Sequence, residues 1–315
     1  MRAVIVDRYG PPAVARITEL PSPVPRPDQV LVRVAAAAVT SGDARIRAAS
    51  FPAGMSLPGR LALGVRGPRN RVLGIVVSGT VAAVGQAVTA FAVGDEVAGM
   101  TGARMGTHAE LVAVEAKRLV RKPGGIPHDA AAAAIFGGAT ALHFLHAVAD
   151  LLPGQDVLVI GASGAVGTSA VQLARIAGGR VTGVASDRNV ALLHRLGVDE
   201  HVDYGTTDPV SLGQRFDVII DAVGTLTPAS ARALVREGGT AVLAAASLWQ
   251  MLQARGPVKV GPAPGSPALV ERLLPLLERG ELDPVIQQTL PLADIAEAYR
   301  IVDSGRKVGN IVVRP

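Results

Sequence analysis

The fold follows from the stretch Val157-Leu-Val-Ile-Gly-Ala-Ser-Gly-Ala-Val-Gly-Thr168. Residues 157–160 form a short apolar run rich in β-branched side chains, which predicts a strand buried in a parallel sheet. Helical periodicity begins at Thr168. Between them lie three glycines at the spacing G-x-x-G-x-x-G, namely Gly161, Gly164 and Gly167. The stretch therefore predicts a strand, a tight turn and a helix in succession.

This glycine turn is typical of an anion site, because backbone N–H groups and the positive end of a helix dipole meet there. Gly161 permits the turn, Gly164 lets the backbone approach a pyrophosphate, and Gly167 lets helix and strand pack closely. The alternative is a glycine turn without a ligand, but the strand–turn–helix context favours a dinucleotide. The candidate cofactor-binding residues in the turn are Gly161, Ser163, Gly164, Ala165, Val166 and Gly167.

The composition is that of a globular protein with a large core. The chain has 315 residues, of which 49% are hydrophobic and 18% charged, so two domains are expected. Aromatic residues make up only 3%, and the net charge of +5 comes from scattered basic side chains. These features argue against nucleic-acid binding and favour a mild attraction for anions such as NADP.

The chain contains no cysteine, which excludes disulfides, thiolate nucleophiles and cysteine-based zinc sites. The six histidines are dispersed, so core or surface histidines are preferred to metal ligands and no metal is expected. The amino terminus lacks the apolar core of a signal peptide. The most apolar stretch, residues 130–152, is interrupted by glycine, histidine and aspartate, so we predict a buried helix and a cytoplasmic protein without membrane partners.

Two patterns divide the chain. Up to about residue 120, short β-branched runs are separated by proline and glycine, and residues 50–71 are predicted to be a loop beside a cleft. After Pro127, strands alternate with helices, which predicts a doubly wound parallel sheet. Helices are predicted at 129–135 and 140–151 before the glycine turn, and residues 255–265 are predicted to be a loop.

Several further pieces match one family in their order along the chain. They are Pro25-Arg-Pro-Asp-Gln-Val-Leu-Val-Arg-Val34, Gly79-Thr-Val-Ala-Ala-Val-Gly85, Val93-Gly-Asp-Glu-Val97, Phe216-Asp-Val-Ile-Ile-Asp-Ala-Val-Gly224 and Gly309-Asn-Ile-Val-Val313. With the glycine turn, they make the chain similar to the medium-chain dehydrogenase/reductase superfamily, in its zinc-free quinone oxidoreductase-like branch. The resemblance implies an α/β fold in which a Rossmann doubly wound parallel sheet is inserted into a GroES-like β-rich domain. The implied domains are 1–125 plus 263–315 for the GroES-like catalytic domain and 126–262 for the Rossmann domain.

The residues after the second strand of the Rossmann pattern bear on the choice of cofactor. Ser186 and Asp187 lie 19 and 20 positions after Gly167, where an NAD-binding carboxylate is expected, and Arg188 follows. Serine and arginine suit a 2′-phosphate, which favours NADPH over NADH. The alternatives are that Asp187 caps a helix and that Arg188 is simply solvated. The resemblance extends the candidate cofactor residues to Ser186, Arg188, Asn189, Tyr204, Val223, Gly224 and Ala245.

Candidate catalytic residues come from the resemblance. The family's zinc cysteine position reads Thr40 here and its His-Glu pair reads Ile75-Val76, so the acceptor oxygen must meet other donors. Thr40 and Arg45 are the candidate donors to the substrate oxygen. An equally good alternative is that Thr40 is a polar residue at the end of a strand and that Arg45 pairs with Asp43. Thr140 matches a family threonine near the nicotinamide, with a helix N-cap as its alternative role. Phe51, Met55 and Trp249 are candidates to line an apolar substrate pocket. The alternative is that they are core or lid residues.

These observations predict an NADPH-dependent, zinc-independent enzyme that transfers hydride to a quinone or an α,β-unsaturated carbonyl. Two alternatives remain: an inactive NADP(H)-binding sensor or scaffold, and a zinc-independent alcohol or ketone reductase. The expected partner is a small apolar carbonyl or quinone substrate. The resemblance also implies a homodimer, formed through an exposed sheet edge near residues 240–245.

Overall fold

A computed structural model describes residues 1–51 and 53–315. The amino-terminal strands are β1 (Arg2–Val6), β2 (Ala15–Glu19), β3 (Gln29–Ala38), β4 (Val76–Val84), β5 (Glu96–Met100), β6 (Leu111–Glu115) and β7 (Leu119–Arg121). The helices among them are α1 (Ser41–Ala48) and α2 (Ser56–Leu63).

The central part alternates strands and helices. Its strands are β8 (Asp156–Ile160), β9 (Arg180–Ala185), β10 (Glu200–Asp203), β11 (Phe216–Asp221), β12 (Val235–Leu243) and β13 (Val258–Val260). Its helices are α3 (His128–Leu142), α4 (Ala165–Ile176), α5 (Val190–Leu196), α6 (Pro228–Leu234) and α7 (Leu248–Gln253). The chain ends with α8 (Pro267–Glu278), β14 (Ile286–Pro291), α9 (Ile295–Asp303) and β15 (Asn310–Arg314).

The central strands form the predicted parallel sheet, in the order β10-β9-β8-β11-β12-β13. β8 is an inner strand covered on both faces. Val157 and Val159 belong to one hydrophobic cluster, and Leu158 and Ile160 belong to another. Because β9 and β11 flank β8 on opposite sides, the strand order reverses at β8, and a crevice opens beyond its carboxyl end.

A second, mostly antiparallel sheet has the order β14-β15-β3-β4-β5-β7, with β6 also paired to β3. Its last two strands come from the carboxyl terminus, where β15 pairs with β3 and β14 pairs with β15. The amino-terminal third and the tail therefore build one sheet, and residues 156–260 build the other. This is the inserted arrangement that the resemblance implied, and the boundaries at 125/126 and 262/263 stay predictions.

The two helices predicted before the glycine turn are one helix, which corrects the sequence-based interpretation. α3 runs without a break from His128 to Leu142 and continues as a π-helix over His143–Val148. Gly137 and Gly138 do not end the helix. They are the positions at which neighbouring helices pack closely against α3. A Cβ atom at Gly137 would lie 2.1 Å from the carbonyl oxygen of Ala165 in α4, and one at Gly138 would lie 3.0 Å from Leu273 in α8.

Three other expectations need correction. The predicted loop at 50–71 contains α2, and the predicted loop at 255–265 contains β13. The edge proposed for dimer formation, near residues 240–245, is not exposed as an edge. There, residues Ala241–Leu243 of β12 pair with β13, so β13 is the edge strand.

The long apolar segment before the glycine turn lies largely inside the protein. Among the described residues, His128–Val148 is the one helical stretch long and apolar enough to span a membrane, and 67% of its most apolar 18 residues are buried. α3 packs against α4, α8 and the antiparallel sheet. Such burial is what a core helix shows, as the sequence predicted.

Candidate cofactor-binding cleft

The glycine turn lies at the carboxyl end of β8, where it enters α4. Gly161 has a positive φ of 80°, which glycine adopts without strain. A Cβ atom at Gly167 would lie 2.1 Å from the carbonyl oxygen of Gly161, so this position needs glycine for packing. At Gly164 a Cβ atom would meet only the oxygen of Gly161, at 3.5 Å. Gly164 also precedes α4 without any side-chain cap, so the first N–H groups of the helix face the crevice without a side-chain acceptor.

Two cavities meet at this turn. The inner cavity, of about 630 Å³, is lined by the start of α1, the glycine turn and the end of α9, with Thr40, Arg45, Phe136, Ala165, Val166 and Gly167 among its residues. The outer cavity, of about 700 Å³, is lined by the ends of β9 and β10, with Ser163, Arg188, Asn189 and Tyr204 among its residues. Both share the residues Gly161, Gly164, Val223, Gly305 and Lys307. A larger cavity of about 820 Å³ lies elsewhere, against β7 and α8, and is lined by other residues.

The loop after β11 is held by one buried carboxylate. Asp221 accepts hydrogen bonds from the backbone N–H groups of Val223 at 3.0 Å, Gly224 at 2.8 Å and Leu226 at 2.7 Å. These bonds project Val223 into both cavities. Gly224 lies behind it against Ala245, since a Cβ atom at Gly224 would be 2.8 Å from the Ala245 carbonyl oxygen. Gly224 and Ala245 therefore support the loop and are not among the cavity-lining residues.

The outer cavity carries the residues predicted to select the cofactor. Arg188 is exposed on a 3₁₀ turn over Asp187–Asn189, and Ser186 precedes this turn as a backbone N-cap without lining the cavity. Among the described residues, no carboxylate is within 4.0 Å of the Arg188 guanidinium. Asp187 is not the helix cap considered as its alternative role. Its own N–H donates to Asp203 at 3.2 Å, and its side chain is not in the cavity lining.

Thr40 lines the inner cavity, but its hydroxyl is engaged. It donates to Asp43 Oδ2 at 2.6 Å and accepts from the Asp43 N–H at 3.2 Å, which forms a capping box at the start of α1. Only 5% of Thr40 is exposed. The hydroxyl proton therefore points to Asp43, and Thr40 offers the cavity a lone pair more readily than a proton.

Arg45 is exposed in the inner cavity, and the alternative that paired it with Asp43 is wrong. The buried arginine of this helix is Arg47, which bonds Asp303 at 2.5 Å and the carbonyl oxygen of Gly10. Within the described part of the chain, no carboxylate lies within 4.0 Å of the Arg45 guanidinium, so this group is available to meet a negative charge in the cavity.

A buried polar cluster lies behind Thr40. His108 Nε2 is 3.3 Å from the Ala38 carbonyl oxygen, and its Nδ1 is 3.4 Å from the hydroxyl of Tyr299. Burial lowers the pKa of His108 and raises the pKa of Tyr299 well above its ordinary value, so both are neutral near pH 7. Asp43 Oδ1 and Arg47 Nε have no hydrogen-bond partner among the described residues.

Thr140 lies near the end of α3, far from the start of the helix at His128, so the N-cap alternative is wrong. Its hydroxyl donates to the Phe136 carbonyl oxygen at 2.8 Å. Phe136, one turn earlier, lines the inner cavity, and Thr140 is not among the lining residues. Phe51, Met55 and Trp249 are also absent from both linings, and Trp249 is 66% exposed.

Sequence reasoning missed the segment 305–309, which crosses the glycine turn before β15. The N–H of Gly309 donates to the carbonyl oxygen of Ser163 at 2.8 Å, and Gly309 forms an isolated bridge with Gly164. This crossing brings Arg306 into the outer cavity and Lys307 into both cavities. The only signal in the sequence was a basic pair just before the last predicted strand.

No group of three or more potential ligating side chains that could hold a metal ion occurs among the described residues. Zinc independence stays a prediction. It rests on the identity of residues 40, 75 and 76 in the sequence.

Comparison with known proteins gives a consistent set of relatives. The family model described as "Alcohol dehydrogenase GroES-like domain" matches residues 26–124, and the one described as "Zinc-binding dehydrogenase" matches residues 196–313. A 2-methylene-furan-3-one reductase from Solanum lycopersicum is 31% identical, with 100% of this chain and 79% of the relative covered. A quinone oxidoreductase from Pseudomonas aeruginosa is 30% identical, with 98% and 97% covered. The solved structure of a quinone oxidoreductase from Coxiella burnetii superimposes with a TM-score of 0.90 at 26% identity, covering 100% of this chain and 99% of that one.

Proposed function

We propose a function for this protein, which belongs to the quinone oxidoreductase-like branch of the medium-chain dehydrogenase/reductase superfamily. It is an NADPH-dependent oxidoreductase that reduces a quinone or an α,β-unsaturated carbonyl. The single observation that carries the proposal is the pair of cavities that meet at the glycine turn, one lined by Arg188 and the other by Arg45.

The residues of the cleft fit a dinucleotide. Gly164 leaves space where a Cβ atom would stand, and the uncapped start of α4 offers N–H groups to a diphosphate. The outer cavity holds Arg188 and Arg306, which suit a 2′-phosphate because guanidinium groups bind phosphate oxygens in a bidentate fashion. These cations support NADPH over NADH.

When bound, the reduced nicotinamide supplies a hydride. The chain must then orient the acceptor and stabilise negative charge on its oxygen. Arg45 lines the inner cavity and is exposed there, and its guanidinium is suited to that oxygen. Thr40 has its proton directed to Asp43, so its role is to hold the start of α1, on which Arg45 stands, in place. A quinone or enone suits this arrangement, because its oxygen becomes an enolate, which needs less stabilisation than the alkoxide of a simple ketone.

The names of two relatives support this substrate class, one as a quinone oxidoreductase and the other as a 2-methylene-furan-3-one reductase. The test follows NADPH absorbance with a 1,4-quinone, an enone and a simple ketone, before and after chelator treatment. We expect turnover of the first two and no effect of the chelator. Turnover of the ketone alone would instead establish the alcohol or ketone reductase, and tight NADPH binding without turnover would establish the sensor.

We also propose a homodimer, as the family resemblance implies. β13 is one of the two edge strands of the parallel sheet and is the one that pairs with β12, so we propose that the dimer forms through β13 and not through residues 240–245. Analytical ultracentrifugation of the purified protein tests it, and a sedimenting monomer at micromolar concentration would contradict it. Cytoplasmic location stays a prediction.

A further inference from the structure

Lys307 stands where the two cavities meet. It lines both of them, together with Gly161 and Gly164 of the glycine turn. By contrast, Arg188 lines only the outer cavity, and Arg45 lines only the inner cavity. Lys307 is therefore the cation placed beside the start of α4, at the point that joins the two halves of the cleft.

The ammonium group of Lys307 has no counter-ion of its own. Within residues 1–51 and 53–315, no carboxylate forms an ion pair with it, and its Nζ donates to the carbonyl oxygen of Gly309. The side chain is half-buried in the cleft wall. Burial alone lowers the pKa of Lys307 to about 8. A desolvated cation without a counter-ion is unfavourable, and a bound anion would remove that cost.

The backbone around Lys307 is held against the glycine turn. The N–H of Gly309 donates to Ser163 at 2.8 Å, and the N–H of Val308 donates to Gln287 Oε1 at 2.7 Å. The side-chain amide of Asn310 donates to the carbonyl oxygen of Pro284 at 2.7 Å. These bonds fix the position of Lys307 before any ligand arrives, which lowers the entropy cost of using it.

The two carboxylates that line the cavities beside Lys307 already have other partners. In the inner cavity, Asp303 is paired with Arg47, and Arg45 projects from α1. In the outer cavity, the Asp208 carboxylate accepts a hydrogen bond from the Val210 N–H. The remaining titratable or charged groups of the outer cavity are Arg188, Tyr204 and Arg306.

We propose that Lys307 binds the diphosphate bridge of the dinucleotide, opposite the N-terminus of α4. This rests on the proposed function, since it requires the cleft to hold NADPH. The diphosphate is the part of the ligand common to NADPH, NADH and ADP-ribose, and it must pass the junction of the two cavities. Lys307 is a binding residue for the ligand's backbone and does not choose between NADPH and NADH.

The proposal has a pH signature. Lys307 is charged below pH 8 in the free protein, and bound phosphates favour its charged form, which raises its pKa in the complex. Binding above pH 8 must therefore take up a proton, so the Kd for NADPH rises as pH increases through 8 toward 9. A variant without this amine has no such rise.

The experiment titrates NADPH, NADH, ADP-ribose and adenosine 2′-monophosphate by calorimetry at pH 7. The variant Lys307→Met removes the charge and keeps most of the side-chain length, Lys307→Arg keeps the charge, and Lys117→Met is a matched control at an exposed lysine. We expect Lys307→Met to raise the Kd of the three diphosphate ligands by the same factor, roughly 10- to 100-fold. The Kd of adenosine 2′-monophosphate stays unchanged, and Lys307→Arg and Lys117→Met bind like the wild type.

Two results would overturn the proposal. One is unchanged binding of all four ligands to a folded Lys307→Met protein, and the other is a loss confined to NADPH, which would place Lys307 at the 2′-phosphate. Thermal unfolding of each variant checks that it is folded. If the wild type binds none of the dinucleotides, the proposed function fails as well, so the two failures are distinguishable.

Discussion

The two glycines Gly164 and Gly167 have different reasons to be glycine, and alanine substitutions separate them. Both lie in the same turn, three residues apart. Gly167→Ala is expected to damage the fold, and Gly164→Ala is expected to damage binding while the fold stays intact. The pair therefore tests whether the turn is a ligand site or only a tight connection.

The magnitude at Gly167 follows from its contacts. The added Cβ atom would lie 2.1 Å from the Gly161 carbonyl oxygen and 2.7 Å from the Ala162 Cα, where ordinary contact begins at 3.4 Å. Both neighbours are backbone atoms, so α4 must retreat from the turn by roughly 1 Å. Overpacking of this kind costs about 1–3 kcal/mol. In a chain of this size that lowers Tm by roughly 2 to 5 °C.

At Gly164 the same change meets little resistance. Its φ of −82° is open to any residue, and the Cβ atom would meet only one atom, at 3.5 Å. Alanine there reduces the entropy of the unfolded chain and changes the free energy of unfolding by less than about 1 kcal/mol. The methyl group enters the space shared by the two cavities, so the Kd for NADPH is expected to rise by roughly tenfold or more.

The assay combines thermal unfolding with fluorescence titration of NADPH for both variants and the wild type. Wild-type NADPH affinity in Gly164→Ala would refute the assignment of this space to the ligand. A wild-type Tm in Gly167→Ala would refute the packing argument, because the clash with backbone could not then be as severe as the distances indicate.

Four further predictions follow from single residues. Arg188→Ala should raise the Kd for NADPH about tenfold and leave that for NADH unchanged, and an equal loss for both cofactors would contradict its assignment to the 2′-phosphate. Thr40→Val removes the side-chain cap of α1 and should lower the free energy of unfolding by about 1–3 kcal/mol in urea titrations. Asp221→Asn replaces an oxygen pair that accepts three backbone bonds, so both Tm and NADPH affinity should fall, whereas a change in neither would rule out its support of the loop. The hydrogen bond from Arg180 lowers the pKa of Asp156 below 3.8, so its stabilisation is present above pH 3.8 and is lost as pH falls through the lowered value. Asp156→Asn should flatten the pH dependence of unfolding in that acid range.

Local patterns were sufficient for the parallel sheet. β9 and β11 each centre on β-branched residues, at 181, 182 and 184 in β9 and at 218–220 in β11, and both are short enough for local residue type to predict a strand. The helix break predicted at Gly137 was wrong for an instructive reason. Low helix propensity at one glycine is outweighed when the position is needed for the approach of Ala165, and that contact lies 28 residues away in the chain.

The elements that the sequence did not reveal depend on non-local pairing. β13 has only three residues, and its strand conformation comes from hydrogen bonds to β12. α2 contains Pro58 and Gly59, which lower helix propensity, and a Cβ atom at Gly59 would lie 2.9 Å from the ring of Phe51. Such short elements carry too little periodicity to be predicted from the residues alone.

The strand, glycine turn and helix of the anion site could be predicted from the residues alone, because a dozen adjacent residues encode that geometry. What surrounds the site follows from long-range contacts. They pair Arg47 with Asp303 and so leave Arg45 to the cavity, and they carry Lys307 across the turn. The physical reason is that β15 must return to pair with β3, and this long-range closure sets the path of the preceding segment over the start of α4.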